Sequence, residues 1–525
     1  MKKLLFALLL ACALPAWSAL DPAVVHKLAD DDSDQKIAAI QQLAQSVDPV
    51  AERLLKALSE DGVYVSGDTV FFSEGDKPVD AVTGKVIATP ASNDSISINN
   101  RVRGVLDGAL AGVKLFDPDA AVRLAAARAL QEKVTPELIP LLTRAAKAET
   151  DAKVAPVIVQ LLAQANLKNP DPVARLVAVQ ALAESASPNT RSLLLPLTDP
   201  ATEKDDKVRA AAQTSLRAID GKLAWGENLG RVFTGLSLGS ILLLASLGLA
   251  ITYGVMGVIN MAHGELLMVG AYSAYAVQSL FRHYLPGAID WYLPAAVPVA
   301  FFSAAIVGMV MERTVIRWLY GRPLETLLAT WGISLILIQG ARTLFGAQNV
   351  EVANPSWMSG GIALLPNLVL PWNRIVIIGF ALSVLLLVWG LMNKTRLGLF
   401  VRAVTQNRPM AGCVGVPTQR IDTLAFGLGA GIAGLGGLAL SQIANVGPEM
   451  GQGYIVDSFL VVVLGGVGQL AGAVYAALGL GIVAKFLEGW AGAVIAKIIV
   501  LAIVIVFIQR RPQGLFALKG RFADS

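Results

Sequence analysis

Residues 257–265 read Gly-Val-Ile-Asn-Met-Ala-His-Gly-Glu and lie between two long apolar runs. Within six residues, Asn260, His263 and Glu265 supply three polar side chains. Ionisable groups at membrane depth are costly and usually face a protein interior or a solute path. Glycine permits close backbone approach, or a break in a helix that lines a cavity, and the glycines here are Gly254, Gly257, Gly264 and Gly270. The stretch therefore predicts a membrane domain with a polar route through it.

The composition predicts two domains of different character. The chain has 525 residues and a mean hydropathy of +0.59, which is too apolar for an ordinary soluble protein. Residues 1–226 hold 25 Lys/Arg and 28 Asp/Glu, whereas residues 227–525 hold 18 and 11. The positive residues of the second part cluster in short loops, which is a signal of membrane orientation and not a nucleic-acid surface. We therefore expect a charged domain followed by a transmembrane domain at 227–525.

The first nineteen residues have the features of a signal peptide. A positive start is followed by a short apolar core and by small residues suited to cleavage. The segment is too short to span a membrane as an uncleaved helix. Residues 9–12 also form a partial lipoprotein box ending at Cys12, which leaves lipidation as an alternative. With Cys413 as the only other cysteine, the sequence predicts no disulfide framework.

Residues 20–226 are predicted to form an exported helical domain. Similar segments at 117–130, 171–182 and 206–216 each begin with Asp, a preferred helix N-cap, and continue with Arg and small apolar residues at helical spacing. They resemble HEAT-like helix pairs, in which each repeat buries its apolar face against its neighbours. Short apolar runs at about 63–88, separated by turn residues, predict a small β insert. The residues do not identify a partner for this domain.

Eight apolar segments follow, and most have the roughly 20 residues of a spanning helix. They lie at 232–259, 262–281, 293–311, 324–345, 375–392, 423–441, 458–486 and 491–508. Lys and Arg cluster at 312–322, at 393–420 and after residue 510, and the positive-inside rule places all three clusters in the cytoplasm. Counting crossings back from Arg313 places the N-terminal domain outside, in agreement with the export signal.

The segment 458–486 is predicted to be broken or re-entrant. It contains Gly465, Gly466, Gly468 and Gln469. An odd number of crossings is needed between Asn445, expected outside, and Arg510, expected inside, yet only two apolar segments lie between them. Broken helices are tolerated at membrane depth where they line a polar cavity. The four residues are therefore candidates for the solute path, with close helix packing as the alternative.

Four collinear stretches resemble the LivH-type permease family of bacterial ABC importers, which serve branched-chain amino acids, amides and urea. They are GVINMAHGELLMVGAY at 257–272, RLGLFVRAV at 396–404, GGVGQ at 465–469 and RPQGLF at 511–516. The resemblance covers roughly residues 228–520. It implies a mainly α fold in which a polytopic permease domain, with about eight apolar segments, follows the exported HEAT-like domain.

Asn260, His263 and Glu265 are interpreted as part of the substrate path, with a buried hydrogen-bond network as the alternative. A metal site is disfavoured because His-x-Glu lacks the i, i+4 spacing of helical metal motifs. The resemblance also implies that the 393–420 loop holds a helix that docks on a cytoplasmic ATPase. The residues predicted to couple the two proteins are Arg396, Arg402, Gly412 and Gly415. The alternative is that the basic residues of this loop only set the topology.

The partners follow from the resemblance and from the missing nucleotide motif. The sequence has no Gly-x-x-x-x-Gly-Lys-Ser/Thr stretch, so we expect a transport subunit that is not an enzyme and binds no cofactor itself. ATP would be used by two cytoplasmic ABC ATPases. A second permease subunit, forming a heterodimer, and a periplasmic substrate-binding protein are also expected, with membrane lipid and without nucleic acid. The expected location is the bacterial inner membrane.

Urea is the first predicted substrate, because a large exported extension resembles the urea-type permeases of the group. A branched-chain amino acid or a short amide is the alternative. An amino-acid carboxylate would need a cationic or helix-terminal anchor, and in the membrane segments Arg342 and Lys497 are the candidate cations. Two alternatives come from other functional classes. A passive channel would leave the coupling loop without a role. A receptor would need fewer apolar segments than these to anchor it in the membrane.

Overall fold

The computed structural model describes residues 20–516, apart from residues 47, 76, 89, 91, 92 and 132. The predicted signal peptide at 1–19, including Cys12, lies outside the described residues. The chain divides into two compact units, Met1–Leu223 and Ala224–Ser525.

The first unit is mainly helical. Its helices are α1 (Pro22–His26), α2 (Ser33–Ser46), α3 (Pro49–Ser59), α4 (Asn100–Val113), α5 (Ala120–Leu130), α6 (Ile139–Ala148), α7 (Ala155–Asn166), α8 (Pro172–Leu182) and α9 (Pro188–Leu194). Its strands are β1 (Val63–Ser66), β2 (Thr69–Glu74), β3 (Lys77–Asp80) and β4 (Asp94–Ser95). They form one antiparallel sheet in the order β3-β2-β1-β4.

Aspartate caps begin several of these helices. The carboxylates of Asp48, Asp119 and Asp171 each accept a hydrogen bond from the backbone N–H two residues later. A capping oxygen satisfies one of the backbone donors that a helix start leaves without an internal partner. The helices bury their apolar faces in successive clusters, around Leu54, around Leu142 and around Leu182. The HEAT-like character of this array stays a prediction.

Arginine residues of the repeated segments clamp the same local structure twice. Arg123 donates from Nε and Nη2 to the two carboxylate oxygens of Glu149, at 2.7 and 2.9 Å. Arg175 does the same with Glu203, at 2.7 Å for both bonds. In each case Nη1 also donates to backbone carbonyls five and six residues earlier. Hydrogen bonding to Arg123 lowers the pKa of Glu149 to about 2, so these arginines act in the structure of the repeat.

The second unit contains the membrane-crossing helices, the first of which starts within the first unit at Asp206. They and their neighbours are α10 (Asp206–Met256), α11 (His263–Tyr284), α12 (Tyr292–Thr314), α13 (Pro323–Phe345), α14 (Trp372–Lys394), α15 (Arg396–Gln406), α16 (Arg408–Cys413), α17 (Thr418–Ser441), α18 (Met450–Gly465), α19 (Leu470–Ala491) and α20 (Ala493–Arg510). A hairpin of β5 (Gly361–Leu365) and β6 (Leu368–Pro371) precedes α14. Among the described residues, seven helices are long and apolar enough to cross a membrane. The predicted polytopic helical fold is confirmed.

The apolar segment predicted to be broken is two helices. It begins earlier than expected, at the start of α18, and residues 466–469 separate α18 from α19. The two helices are joined by a short turn and run antiparallel. The residues that line one cavity fit this direction: Leu460 and Leu480 are nearer the turn, and Tyr454 and Glu488 are farther from it. With α20 this makes three helices where the sequence showed two apolar segments. An odd number of crossings requires that α18, which has 16 residues and is not among the seven long helices, crosses as well.

Helices α11, α12 and α17 form the tightest part of the membrane unit. Side chains added at Gly270 or Gly437 would collide with the carbonyl oxygens of Gly434 and Leu267, respectively. Close backbone approach of this kind is typical of membrane helix pairs, where small residues replace the missing hydrophobic driving force. This packing holds the start of α11, and thus the polar stretch 257–265, against its neighbours.

Candidate solute path and coupling cavity

The polar stretch forms an unwound connection between two helices. Helix α10 ends at Met256, and Gly257 has a φ of +65°, a left-handed conformation that favours glycine. The chain becomes helical again only at His263. There the His263 ring lies beside α10, because its Nε2 is 2.9 Å from the carbonyl oxygen of Ala245. The connection thus returns to the depth of residues well inside α10.

The three polar side chains of this stretch are almost fully buried, with exposed fractions of 1% for Asn260, 0% for His263 and 1% for Glu265. Glu265 Oε1 accepts a hydrogen bond of 2.9 Å from Ser334 Oγ on α13. Asn260 Oδ1 accepts one of 3.0 Å from the backbone N–H of Ala262. The three predicted residues are therefore all buried inside the helix bundle, with His263 facing α10 and Glu265 facing α13.

Each of these three side chains keeps a buried polar atom without a hydrogen-bond partner in the described part of the chain. The atoms are Asn260 Nδ2, His263 Nδ1 and Glu265 Oε2. A buried polar atom left unpaired costs about 1–3 kcal/mol, so native proteins rarely keep several together without a use for them. An amide donor, a ring nitrogen and a carboxylate oxygen suit the binding of a small polar molecule. Within the described residues, no group of three His, Cys, Asp or Glu is placed to hold a metal ion.

The turn between α18 and α19 is the second predicted part of the path. Gly466 and Gly468 have φ values of +99° and +75°, which ordinary side chains rarely adopt. The C-terminal RPQGLF motif folds back on this turn. The backbone N–H groups of Leu515 and Phe516 donate to the carbonyls of Leu464 and Gly465, at 2.8 and 3.3 Å. The sequence singled out both motifs but did not predict that they meet.

A cavity of about 430 Å³ connects this turn with the predicted coupling loop. Gly468 and Gln469 line one side, and Arg402 of α15 lines another. Arg402 Nη1 donates to Asn393 Oδ1 at 3.1 Å. A side chain on Gly254, near the end of α10, would lie 3.0 Å from Gly468. Helix α10 therefore forms another wall of the cavity. The structure thus brings Gly468, Gln469 and Arg402 to one place.

The other predicted coupling residues do not line this cavity. Arg396 begins α15, Gly412 lies within α16, and Gly415 follows α16 with a φ of +88°. Gly465 packs against Gly472 at the start of α19 instead of facing the cavity. Asn260, His263 and Glu265 do not line this cavity either.

A polar network between loops was not predicted from the sequence. Arg408 of α16 pairs with Asp422 of α17, donates to Tyr320 Oη at 2.6 Å, and stacks on the Tyr320 ring with Cζ 4.1 Å from its centroid. Thr423, the next residue, donates a 2.7 Å hydrogen bond to the buried carboxylate of Glu312 at the end of α12. Charges at the ends of apolar segments were the available signal, but spacing alone does not show which of them pair.

Comparison with known families places the membrane unit. Residues 231–508 match the family described as the permease component of the branched-chain amino acid transport system.

The chain belongs to this family.

Individual relatives support the same assignment. The permease protein BraD of a high-affinity branched-chain amino acid transport system in Pseudomonas aeruginosa is 27% identical over 293 residues, which cover 55% of this chain and 95% of that protein. The corresponding LivH protein of Escherichia coli is 28% identical over 295 residues, covering 55% and 94%. A probable LivH protein of Methanocaldococcus jannaschii is 26% identical over 288 residues, covering 53% and 88%. No solved structure matches the chain at a significant level. The chain is thus a polytopic membrane permease component.

Proposed function

We propose that this chain is a membrane-spanning subunit of an ATP-driven ABC importer for branched-chain amino acids in the bacterial inner membrane. The observation that carries the proposal is the family match over residues 231–508, which falls within the Ala224–Ser525 unit. The names of the relatives BraD and LivH specify branched-chain amino acid transport. This favours the amino-acid alternative over the urea substrate that the exported extension had suggested.

Urea stays as a second candidate because of the N-terminal unit. Alignments that cover 94–95% of the LivH and BraD proteins cover only 55% of this chain, so those relatives leave little room for a counterpart of residues 20–223. The extension therefore distinguishes this chain from them. We place it on the periplasmic side, from the charge clusters at 312–322 and 393–420.

In the proposed mechanism, the polar group at Asn260, His263 and Glu265 binds the passing solute, and the Arg402 cavity responds to the ATPases. Two cytoplasmic ABC ATPases, a second permease subunit and a periplasmic binding protein complete the importer. Movement of α15 would change the cavity lined by Arg402, Gly468 and Gln469, and α10 touches both this cavity and His263. A docking event is thus linked by direct contacts to the polar group.

Uptake by a strain lacking this transporter, with the chain restored or omitted, tests the proposal. We expect the restored strain to accumulate labelled leucine against a gradient and to lose that ability when ATP is depleted. Accumulation of urea instead would favour the second candidate. Equilibration of either solute without ATP would indicate a passive channel, and the absence of any uptake, with ATPases not co-purifying, would favour a receptor.

A further inference from the structure

Helices α18, α19 and α20 surround a second cavity, which contains the residues of an ion pair. The cavity measures about 210 Å³ and lies on the opposite side of the α18–α19 hairpin from the turn at 466–469. Lys497 Nζ of α20 is 3.3 Å from Asp457 Oδ2 of α18 and donates to the carbonyl oxygen of Gly453 at 3.3 Å. A second ion pair also lines this cavity, but both of its residues lie on α19: Lys485 Nζ donates to Glu488 Oε2 at 2.5 Å.

The remaining wall of this cavity is mainly aliphatic. Its aliphatic residues are Leu238, Leu242, Leu460, Leu480, Ala484, Ala493, Ala496 and Val500, and Tyr454, Lys485 and Glu488 line the rest. An anion and a cation at one end of an apolar cavity are the complement of a molecule that carries both charges on one end and a hydrocarbon chain on the other. An α-amino acid with an aliphatic side chain has this arrangement.

The size of the cavity fits such a molecule better than urea. Its 210 Å³ is about seven times the ~30 Å³ that a water molecule occupies in the liquid. Leucine has nine non-hydrogen atoms, and urea has four. Urea also carries no charge that would separate Asp457 from Lys497, and it would leave most of the aliphatic wall without contact.

The exposure of Lys497 also indicates that water or a solute can reach the charged end of this cavity. Lys497 lies between Ile495 and Ile498 in an otherwise apolar helix, and 65% of its side chain is exposed in the isolated chain. Asp457 is 27% exposed and lies in the middle of α18. Charged residues within membrane segments face a protein interior or a water-filled cavity and not lipid. A site that is accessible from a solute route is consistent with the partial exposure of both groups.

We propose that the Asp457–Lys497 cavity is a binding subsite for the zwitterion of an aliphatic amino acid, with the α-carboxylate on Lys497 and the α-ammonium group on Asp457. The proposal rests on the proposed transport function and adds to it the site at which the charged end of the substrate is recognised. By the orientation given above, the cavity lies nearer the periplasmic face than the turn at 466–469. It would therefore hold the amino acid before the polar group at Asn260 and the Arg402 cavity.

Binding of labelled leucine to the purified membrane complex, without the periplasmic binding protein, tests this site. Competitors that lack one charge separate the two roles: leucinamide lacks the carboxylate, and 4-methylpentanoate lacks the ammonium group. We expect Lys497→Gln to weaken leucine binding at least about tenfold and to leave leucinamide binding unchanged. Asp457→Asn should weaken leucine equally and leave 4-methylpentanoate unchanged. Arg322→Gln is the control, since Arg322 pairs with Glu325 outside this cavity, and it should bind leucine like the original protein.

The results separate this inference from the proposed function. If the original protein transports leucine but Lys497→Gln binds it normally per folded complex, the subsite is wrong and the transport function stands. If the variant only lowers the amount of folded complex, the ion pair is structural and the subsite is again wrong. Transport of urea without leucine would overturn both. The double variant Asp457→Asn with Lys497→Gln leaves no unpaired charge, so its loss of leucine binding with normal assembly would support the subsite independently of folding.

Discussion

The Arg175–Glu203 pair of the N-terminal unit and the polar stretch 257–265 of the membrane unit treat buried polar groups in opposite ways. In the N-terminal unit, the carboxylate of Glu203 is only 3% exposed, and Arg175 covers both of its oxygens. In the membrane unit, Asn260, His263 and Glu265 are equally buried, yet each keeps an atom without a partner among the described residues. Complete pairing makes a rigid structure. The unpaired atoms of Asn260, His263 and Glu265 are the groups that the proposed solute path would use.

The largest effect is expected where backbones touch in the membrane unit. Gly270→Leu should abolish assembly, because its side chain would collide with the carbonyl oxygen of Gly434 and force α11 and α17 apart. Gly340→Leu on α13, where nothing lies within 4 Å of an added side chain, is the matched control and should assemble normally. Size-exclusion chromatography after detergent extraction measures assembly. Normal assembly of Gly270→Leu would show that the polar stretch is not held by this packing.

A smaller and more selective effect is expected at the unpaired polar group. Asn260→Leu keeps the approximate size and removes an amide whose Nδ2 has no protein partner among the described residues. Transport per assembled complex should fall at least about tenfold, equivalent to about 1.4 kcal/mol, while assembly is nearly unchanged. Gln278→Leu should instead lower assembly and leave transport per assembled complex nearly unchanged. Both ends of the Gln278 amide are bonded to the backbone of Ala353, so its loss affects the fold. Uptake into vesicles, divided by the amount of complex, distinguishes the two variants. If both variants changed assembly and transport to the same extent, the unpaired amide of Asn260 and the bonded amide of Gln278 would not differ in role.

In the N-terminal unit, Arg175→Met is expected to destabilise its repeat by about 1–3 kcal/mol, since it leaves a buried carboxylate without its partner. Hydrogen exchange of backbone amides in α8, measured in the intact protein, should become correspondingly faster, while α17 is unaffected. The control is Arg191→Met, which removes an ion pair with Asp220 that is 44% and 49% exposed and should change stability by less than about 1 kcal/mol. If hydrogen exchange in α8 were similar in Arg175→Met and Arg191→Met, the Arg175–Glu203 pair would not stabilise the repeat as expected.

The smallest expected effect is a pH dependence of the first clamp. The folded pKa of Glu149, about 2, is below its ordinary value of 4.5. Its contribution to stability is therefore complete above pH 4.5 and is lost as the pH falls towards 2. Exchange in α5 should accelerate over this range, and Glu149→Gln should remove that part of the acceleration. An unchanged pH profile in the variant would show that Glu149 does not carry it.

The sequence predicted the large features of the fold because they depend on local patterns. Apolar length, basic loops and aspartate caps were sufficient for the spanning helices, for the break after Gly465 and for several repeat helices. The site was predicted only as separate pieces. Asn260, His263 and Glu265 are close in sequence and were found together, whereas the approach of Arg402 to Gly468 depends on how distant helices pack. The pairing of Lys497 with Asp457 needed the antiparallel turn of α18 and α19, which no spacing in the chain specifies.

The fold-back of the RPQGLF motif has a consequence for the order of events during synthesis. Residues 511–516 are synthesised after α18, α19 and α20, so the carbonyls of Leu464 and Gly465 lack the two backbone donors of this motif until α20 is complete. The newly inserted hairpin therefore passes through a period in which its inner turn is unbraced. Chain termination after Arg510 would leave all the spanning helices present and make that immature state permanent.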